Sequence, residues 1–274
     1  MSSAAEDPSE HTHTLELHAW SANRSATSTA ARLASWASRS QATRQQATAY
    51  RRSCLVVTPD EGGGPRARVF DGKTGRQIAA FFGIDDPAFR GGARVAVGDL
   101  NGDGEAELIV SAGFGGGPRV TIWDGAKLSA GDPNGAAIAN CFAFEPALRN
   151  GSYVAAGDVT GDGTADAIFG AGPGGGPRVR IFTGAGLLGA ARTVGTLDDI
   201  PQLQVANFFG GDVENRSGTR VTVKNLDGDR FAEVLVGSGA GAGNRVTAYA
   251  GKTVPGNGTP TLLAFDGTGG VFVG

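Results

Sequence analysis

Three short stretches place oxygen-bearing side chains at alternate positions between glycines. The first reads Asp99-Leu100-Asn101-Gly102-Asp103-Gly104-Glu105-Ala106-Glu107. The second reads Asp158-Val159-Thr160-Gly161-Asp162-Gly163-Thr164-Ala165-Asp166. The third reads Asn225-Leu226-Asp227-Gly228-Asp229-Arg230-Phe231-Ala232-Glu233. Carboxylates this close repel one another, and a divalent cation relieves the repulsion. Calcium takes six to eight oxygens with forgiving geometry, which a tight loop can supply. Positions 1, 3, 5 and 9 offer side chains: Asp99, Asn101, Asp103 and Glu107; Asp158, Thr160, Asp162 and Asp166; Asn225, Asp227, Asp229 and Glu233. Position 7 offers a main-chain carbonyl, at Glu105, Thr164 and Phe231. Gly104 and Gly163 at position 6 permit a left-handed turn around an ion.

The third loop departs from the other two. Asn225 replaces a carboxylate, and Arg230 replaces the position-6 glycine with a positive charge. The reading is therefore two calcium sites and a weaker third. An EF-hand is excluded: it needs Glu at position 12, where Val110, Phe169 and Val236 stand. Apolar runs of strand length flank the loops, not helical ones.

Those runs recur. Leu55-Val56-Val57, Leu108-Ile109-Val110, Ala167-Ile168-Phe169 and Val234-Leu235-Val236 each precede a glycine-rich turn. The turn reads Gly-Gly-Gly-Pro-Arg at 62–66, 115–119 and 174–178, and Gly-Ala-Gly-Asn-Arg at 241–245. A strand closing on Asp71-Gly72, Asp124-Gly125, Thr183-Gly184 or Ala250-Gly251 follows. The spacing between Pro65, Pro118, Pro177 and Asn244 grows from 53 to 59 to 67 residues, which places insertions such as Leu187–Asp199 in loops. In the second unit four strands are predicted, at 107–112, 119–123, 137–144 and 152–156. Four strands per unit of this length is the period of a propeller blade. The predicted fold is all-β, a β-propeller of about four such units near 54–106, 107–165, 166–232 and 233–274. Val271-Phe272-Val273-Gly274 matches Val95-Ala96-Val97-Gly98, so the last strand is expected to complete the first blade.

Composition separates this domain from what precedes it. All 46 glycines fall at or after Gly62, while His11, His13 and His18, the only histidines, fall before it. Residues 1–52 lack a periodic apolar face and read as a disordered or weakly helical tail, with His11-Thr12-His13 a solvated segment. Glu6, Asp7 and Glu10 stand where a signal peptide would be basic, so none is read there. No apolar run is long enough to cross a bilayer as a helix. A formal net charge of -3 gives no reason to expect nucleic acid as partner. Cys54 and Cys141 are too few for a disulfide framework.

The two acidic loops at Asp99–Glu107 and Asp158–Asp166, with Phe114-Gly115-Gly116-Gly117-Pro118 and Phe169-Gly170-Ala171-Gly172-Pro173, resemble the FG-GAP or VCBS-type repeat of the integrin-α-like propellers. Thr160 departs from that pattern at position 3. The resemblance runs over 54–274. It implies calcium at hairpins on one propeller face and a location outside the cell. Members often have seven blades, so four units imply a small ring or a piece of a larger array.

Without histidine the domain has no Ser-His-Asp or Cys-His scheme. The expected function is a non-catalytic, calcium-binding module for protein or glycan interaction and adhesion. Its ligand surface would come from variable connections such as Leu187–Asp199 and Gly131–Ala136. One alternative is a carbohydrate-active enzyme with a carboxylate pair drawn from Asp85, Asp86, Glu145, Asp212 and Glu214. Another is a structural fragment without a ligand. Recurring Arg66, Arg119, Arg178 and Arg245 read as repeat-to-repeat bridges, and Phe81, Phe82, Phe142, Phe144, Phe208 and Phe209 as blade core.

Overall fold

Among the described residues, fifteen strands of five or six residues and one of three build four antiparallel sheets, the longer strands coming from the apolar runs between turns. The computed structural model describes residues 12–14, 54–191, 195–241, 244–256, 260–265 and 273. Blade 1 contains β1 (Thr12–Thr14), β2 (Cys54–Pro59), β3 (Arg66–Asp71) and β4 (Gln77–Phe82). Blade 2 contains β5 (Ala93–Gly98), β6 (Glu107–Ala112), β7 (Arg119–Trp123) and β8 (Ala137–Phe142). Blade 3 contains β9 (Ser152–Gly157), β10 (Asp166–Ala171), β11 (Arg178–Phe182) and β12 (Gln204–Phe209). Blade 4 contains β13 (Thr219–Lys224), β14 (Glu233–Ser238), β15 (Asn244–Tyr249) and β16 (Pro260–Phe265). Every sheet is a meander in chain order, the blade architecture of a β-propeller.

Each sequence unit spans two blades: three strands of one, then the first strand of the next. The first strand of blade 1 comes from upstream, since Thr12, His13 and Thr14 pair with Pro59, Thr58 and Val57. That is the position expected for the C-terminal strand, whose residues lie outside those described except Val273. Within the tail, the other residues also lie outside the described set.

Strand alternation sorts each sheet's two faces onto its two neighbours. Leu108 and Val110 pack back onto Val56, Ala67 and Val69 of blade 1, whereas Ile109 packs forward onto Phe169 and Phe182 of blade 3. Ile168, Val179 and Ile181 then meet Val234 and Val236 of blade 4. Burying each such chain stabilises the fold by about 1.5–3 kcal/mol, so the core consists of the three seams between blades. β5, β9 and β13 pack on one another in turn and form the inner wall. Gly157 permits that approach, because a Cβ there would lie 2.5 Å from Val223 Cγ1. β3, β7 and β11 each meet their outer strand through a register shift at the same place, which adds twist.

Among the described residues, two short α-helices lie outside the strand pattern. In α1 (Gly125–Ser129) Asp124 caps the N-terminus by accepting from the Lys127 amide at 3.0 Å. The second, α2 (Gly184–Ala190), opens the insertion of the third unit. That insertion is not a free loop. Leu187, Leu197 and Ile200 are buried in the seam between blades 2 and 3, and Phe142 N donates to Gly195 O at 3.0 Å along the edge of β8. Its apolar residues are spent on the core and its backbone covers a strand edge. The phenylalanines also divide. Phe144 is buried and Phe81 stacks on Trp123 at 4.3 Å, but Phe82 and Phe209 are 43% and 58% exposed. Adjacent residues on an outer strand point to opposite faces, so only one of each pair reaches a seam.

Candidate metal centre

Each acidic loop joins the first and second strands of a blade: β5 to β6, β9 to β10, β13 to β14. All three therefore lie at one end of the sheets. Register sets the base of each loop. Glu107 opposes Gly98, Asp166 opposes Gly157 and Glu233 opposes Lys224. The position-9 carboxylates consequently sit at the mouth of a hairpin, buried to 2%, 0% and 8% exposure.

The loop backbone is wound around position 1. Asp99 accepts from Gly102 N at 2.6 Å and from Gly104 N at 2.9 Å. Asp158 accepts from Gly161 N at 2.6 Å and from Gly163 N at 2.9 Å. Asn225 accepts from Gly228 N at 2.7 Å. Gly104 and Gly163 have φ of 88° and 93°, the left-handed conformation expected at position 6. Position 9 reaches back to the second amide of the loop: Glu107 accepts from Leu100 N at 2.9 Å, Asp166 from Val159 N at 2.9 Å, Glu233 from Leu226 N at 2.7 Å. Position 5 accepts from position 7, as Asp103 does from Glu105 N at 2.8 Å, Asp162 from Thr164 N at 2.8 Å and Asp229 from Phe231 N at 2.7 Å.

Burial disfavours the charged form of the carboxylates at the base of the first two loops. It pushes the Glu107 carboxyl up to about 7, helped by Asp103 and Asp99. Asp166 rises to about 6 through burial, with Asp162 adding to the effect. Asp158 is raised by burial as well. In the first loop Asn101 Nδ2 donates to Asp103 at 3.0 Å and to Glu107 at 3.3 Å, lending positive charge between two carboxylates. In the second, Thr160 Oγ1 faces Asp166 at 3.4 Å.

The third loop, read from sequence as the weaker, is the one that converges. Oxygens of Asp227, Asp229 and Glu233 lie within 4.8 Å of one another, the only such triad of carboxylate, thiol or imidazole groups among the described residues. Two oxygens on one calcium ion are at most about 5 Å apart, so this triad fits one ion. Asn225 turns its amide to Asp229 O, which leaves the carboxylates free to converge. Arg230 lies over the Phe231 ring at 4.7 Å, a cation–π contact that orients its side chain. All three donor sets consist of hard oxygens, the chemistry calcium prefers.

Two features of the site escaped sequence reasoning. The loops form a chain across blades: Ala165 N donates to Asp99 O at 2.8 Å, and Ala232 N to Asp158 O at 2.7 Å. The recurring alanine at position 8 was the available signal. Gly125, Gly184 and Gly251, the glycines after the third strands, press against the carbonyls of Ala106, Ala165 and Ala232, where a Cβ would collide.

The other candidate residues serve local structure. Asp86 accepts from the amides of Ala88 at 3.1 Å and Phe89 at 3.2 Å, and Asp212 from that of Glu214 at 3.0 Å. Glu145 is paired with Arg178 at 2.9 Å. Arg119 and Arg178 donate to Asn140 at 2.8 Å and Asn207 at 2.9 Å within their own blades. Among the described residues, Arg178 is the one of the four recurring arginines whose side chain bridges units, through Glu145. Cys54 and Cys141 form no disulfide among the described residues; Cys54 Sγ contacts Ser129 Oγ at 3.9 Å, and burial pushes Cys141 up to about 12.

No curated protein sequence is a significant match to this chain. Among solved structures, U3-55K is similar at 10% identity and a TM-score of 0.39, over 73% of this chain and 44% of that one. A rhamnogalacturonan lyase PL11 of Bacillus licheniformis is similar at 15% identity and a TM-score of 0.38, over 76% and 42%. The RRP9 WD40 repeats are similar at 11% identity and a TM-score of 0.32, over 76% and 62%. The chain thus spans less than half of the first two. Residues 91–135, which contain the whole first acidic loop with the strands on either side of it, match the family model of the FG-GAP repeat.

Proposed function

We propose that this chain is a non-catalytic propeller module, stabilised by calcium and working outside the cell, that offers a face to a protein or glycan ligand. The observation that carries the reading is the row of three oxygen-rich loops at one end of blades 2 to 4. Each has a buried carboxylate at its base, and each is tied to the next by a backbone hydrogen bond. Calcium would be held by Asp99, Asn101, Asp103, Glu107 and the Glu105 carbonyl in the first loop. In the second and third it would be held by the equivalent groups. When bound it supplies positive charge to carboxylates whose burial is otherwise unfavourable. An ion that binds only the folded state stabilises it by mass action.

Loops of this openness suit millimolar calcium, the extracellular range. No helix among the described residues is long and apolar enough to cross a membrane. Asp86 and Asp212 are engaged in turns, and Glu145 and Glu214 face arginines, which disfavours an enzyme. Calorimetric titration of the chelator-treated chain with calcium tests the reading. Saturable binding of two to three ions supports it, and no heat of binding up to several millimolar contradicts it.

A further inference from the structure

The seam between blades 1 and 2 and the seam between blades 2 and 3 are built from matching residues but end differently. In the first, the connection before β5 carries Phe89 and Gly91. The Phe89 ring lies over Gly116, so close that a Cβ there would be 2.9 Å from Cζ. In the second, the connection before β9 carries Leu148 and Asn150 at the matching positions. No ring covers the matching glycine: a Cβ on Gly175 would find only Asn150 Nδ2 at 3.6 Å and Gly172 O at 3.8 Å. What remains is a cavity of about 230 Å³ opening at the end of the propeller opposite the acidic loops.

We infer that this cavity between blades 2 and 3 is a binding site for one neutral sugar ring of a glycan. It deepens the interaction-module reading and rests on it. The volume lies below the range of drug-sized sites, roughly 300–1,000 Å³, so it admits a single ring. Its apolar wall is formed by Phe144, Leu148 and the 58%-exposed ring of Phe209. An aromatic wall suits the apolar face of a pyranose. Its polar rim is Asn150, Glu145 and Arg178. The Asn150 amide makes no hydrogen bond among the described residues, so a donor and an acceptor both face the cavity. Glu145 uses one oxygen on Arg178 at 2.9 Å and keeps the other. The pair cancels in charge, which favours a neutral ligand over an anion. An aromatic or aliphatic side chain from a partner protein would fill the space but leave the Asn150 amide unsatisfied, which is costly for a polar group taken out of water. Hydroxyls on a saturated ring satisfy it.

The test uses the full chain in millimolar calcium with a panel of neutral methyl hexopyranosides, read by saturation-transfer NMR. The double substitution Leu148→Phe with Asn150→Gly copies the neighbouring seam, which folds with that pair. Asn150→Ala is the milder second variant. At least one glycoside is expected to bind the wild type. Binding should weaken at least tenfold in either variant while the response of the melting temperature to calcium stays as in the wild type. The proposal is overturned if no glycoside binds the folded wild type, or if both variants bind as well as it does. Sugar binding without any calcium effect on melting would instead overturn the calcium reading and leave this one standing.

Discussion

Position 9 of each acidic loop is where a side chain's type matters most. Glu107 and Asp166 are buried carboxylates that the fold holds partly against ionisation. Without metal, a carboxyl raised from 4.5 to about 7 stabilises the fold below the unfolded value and withdraws that support as pH rises through 7. The cost at pH 8 is on the order of 3 kcal/mol for Glu107. Metal-free protein is therefore expected to melt at lower temperature at pH 8 than at pH 5.5, and calcium to narrow or reverse that gap. Melts across pH in chelator, then in calcium, check this. Asp166→Asn removes the buried charge. It is expected to leave metal-free stability unchanged or raised, and to abolish one site's contribution in a calcium titration; an unchanged stoichiometry would show that the second loop holds no ion.

At the scale of elements, loops and strands are coupled through backbone. Gly184 presses on the Ala165 carbonyl, and Ala165 N in turn holds Asp99 O. Gly184→Ala is expected to displace the second loop, destabilise the domain by about 1–3 kcal/mol and weaken calcium binding at the first and second loops together. A denaturant curve and a calcium titration of the same variant read the two effects. Arg180, fully buried on β11, donates to Asp198 at 2.9 Å and to the carbonyls of Ala143 at 2.8 Å and Leu197 at 3.1 Å. It thereby fixes the third unit's insertion onto blade 2. Arg180→Ala is expected to cost about 3–5 kcal/mol, measured in the same way.

The strands at this scale were legible because apolar runs were short and framed by Gly and Pro; 107–112 and 119–123 were read to the residue. The five-residue helix after Asp124 was not, since it is shorter than two turns and shows no period. The convergence of the third loop's carboxylates was not legible, because sequence shows which oxygens are present, not which way an amide turns. Asn101 bonds to the carboxylates of its loop, whereas Asn225 turns to a carbonyl. The cavity beside Asn150 was hidden for a similar reason. Only the paired seams reveal that Phe89 fills a space Leu148 leaves open.

Across the whole molecule, stability lies in seams between blades rather than within any one sheet, so the parts should melt together. The loops add a second set of ties at one end, running Asp99 to Ala165 and Asp158 to Ala232. Blade 1 depends on a distant segment, as Thr12–Thr14 covers the inner edge of β2. Deleting residues 1–53 exposes that edge and is expected to lower the melting temperature and promote self-association. Scattering with and without the deletion checks it. The most direct measurement is a thermal melt of the full chain in millimolar calcium against excess chelator. Occupancy far above Kd adds about 2.7 kcal/mol per site at a hundredfold excess, which for a domain of this size is a rise of roughly 5–10 °C. A single transition raised by that amount in calcium, and not in magnesium, is the expected result. A cooperative melt at the same temperature in both buffers would contradict the claim that these loops are calcium sites.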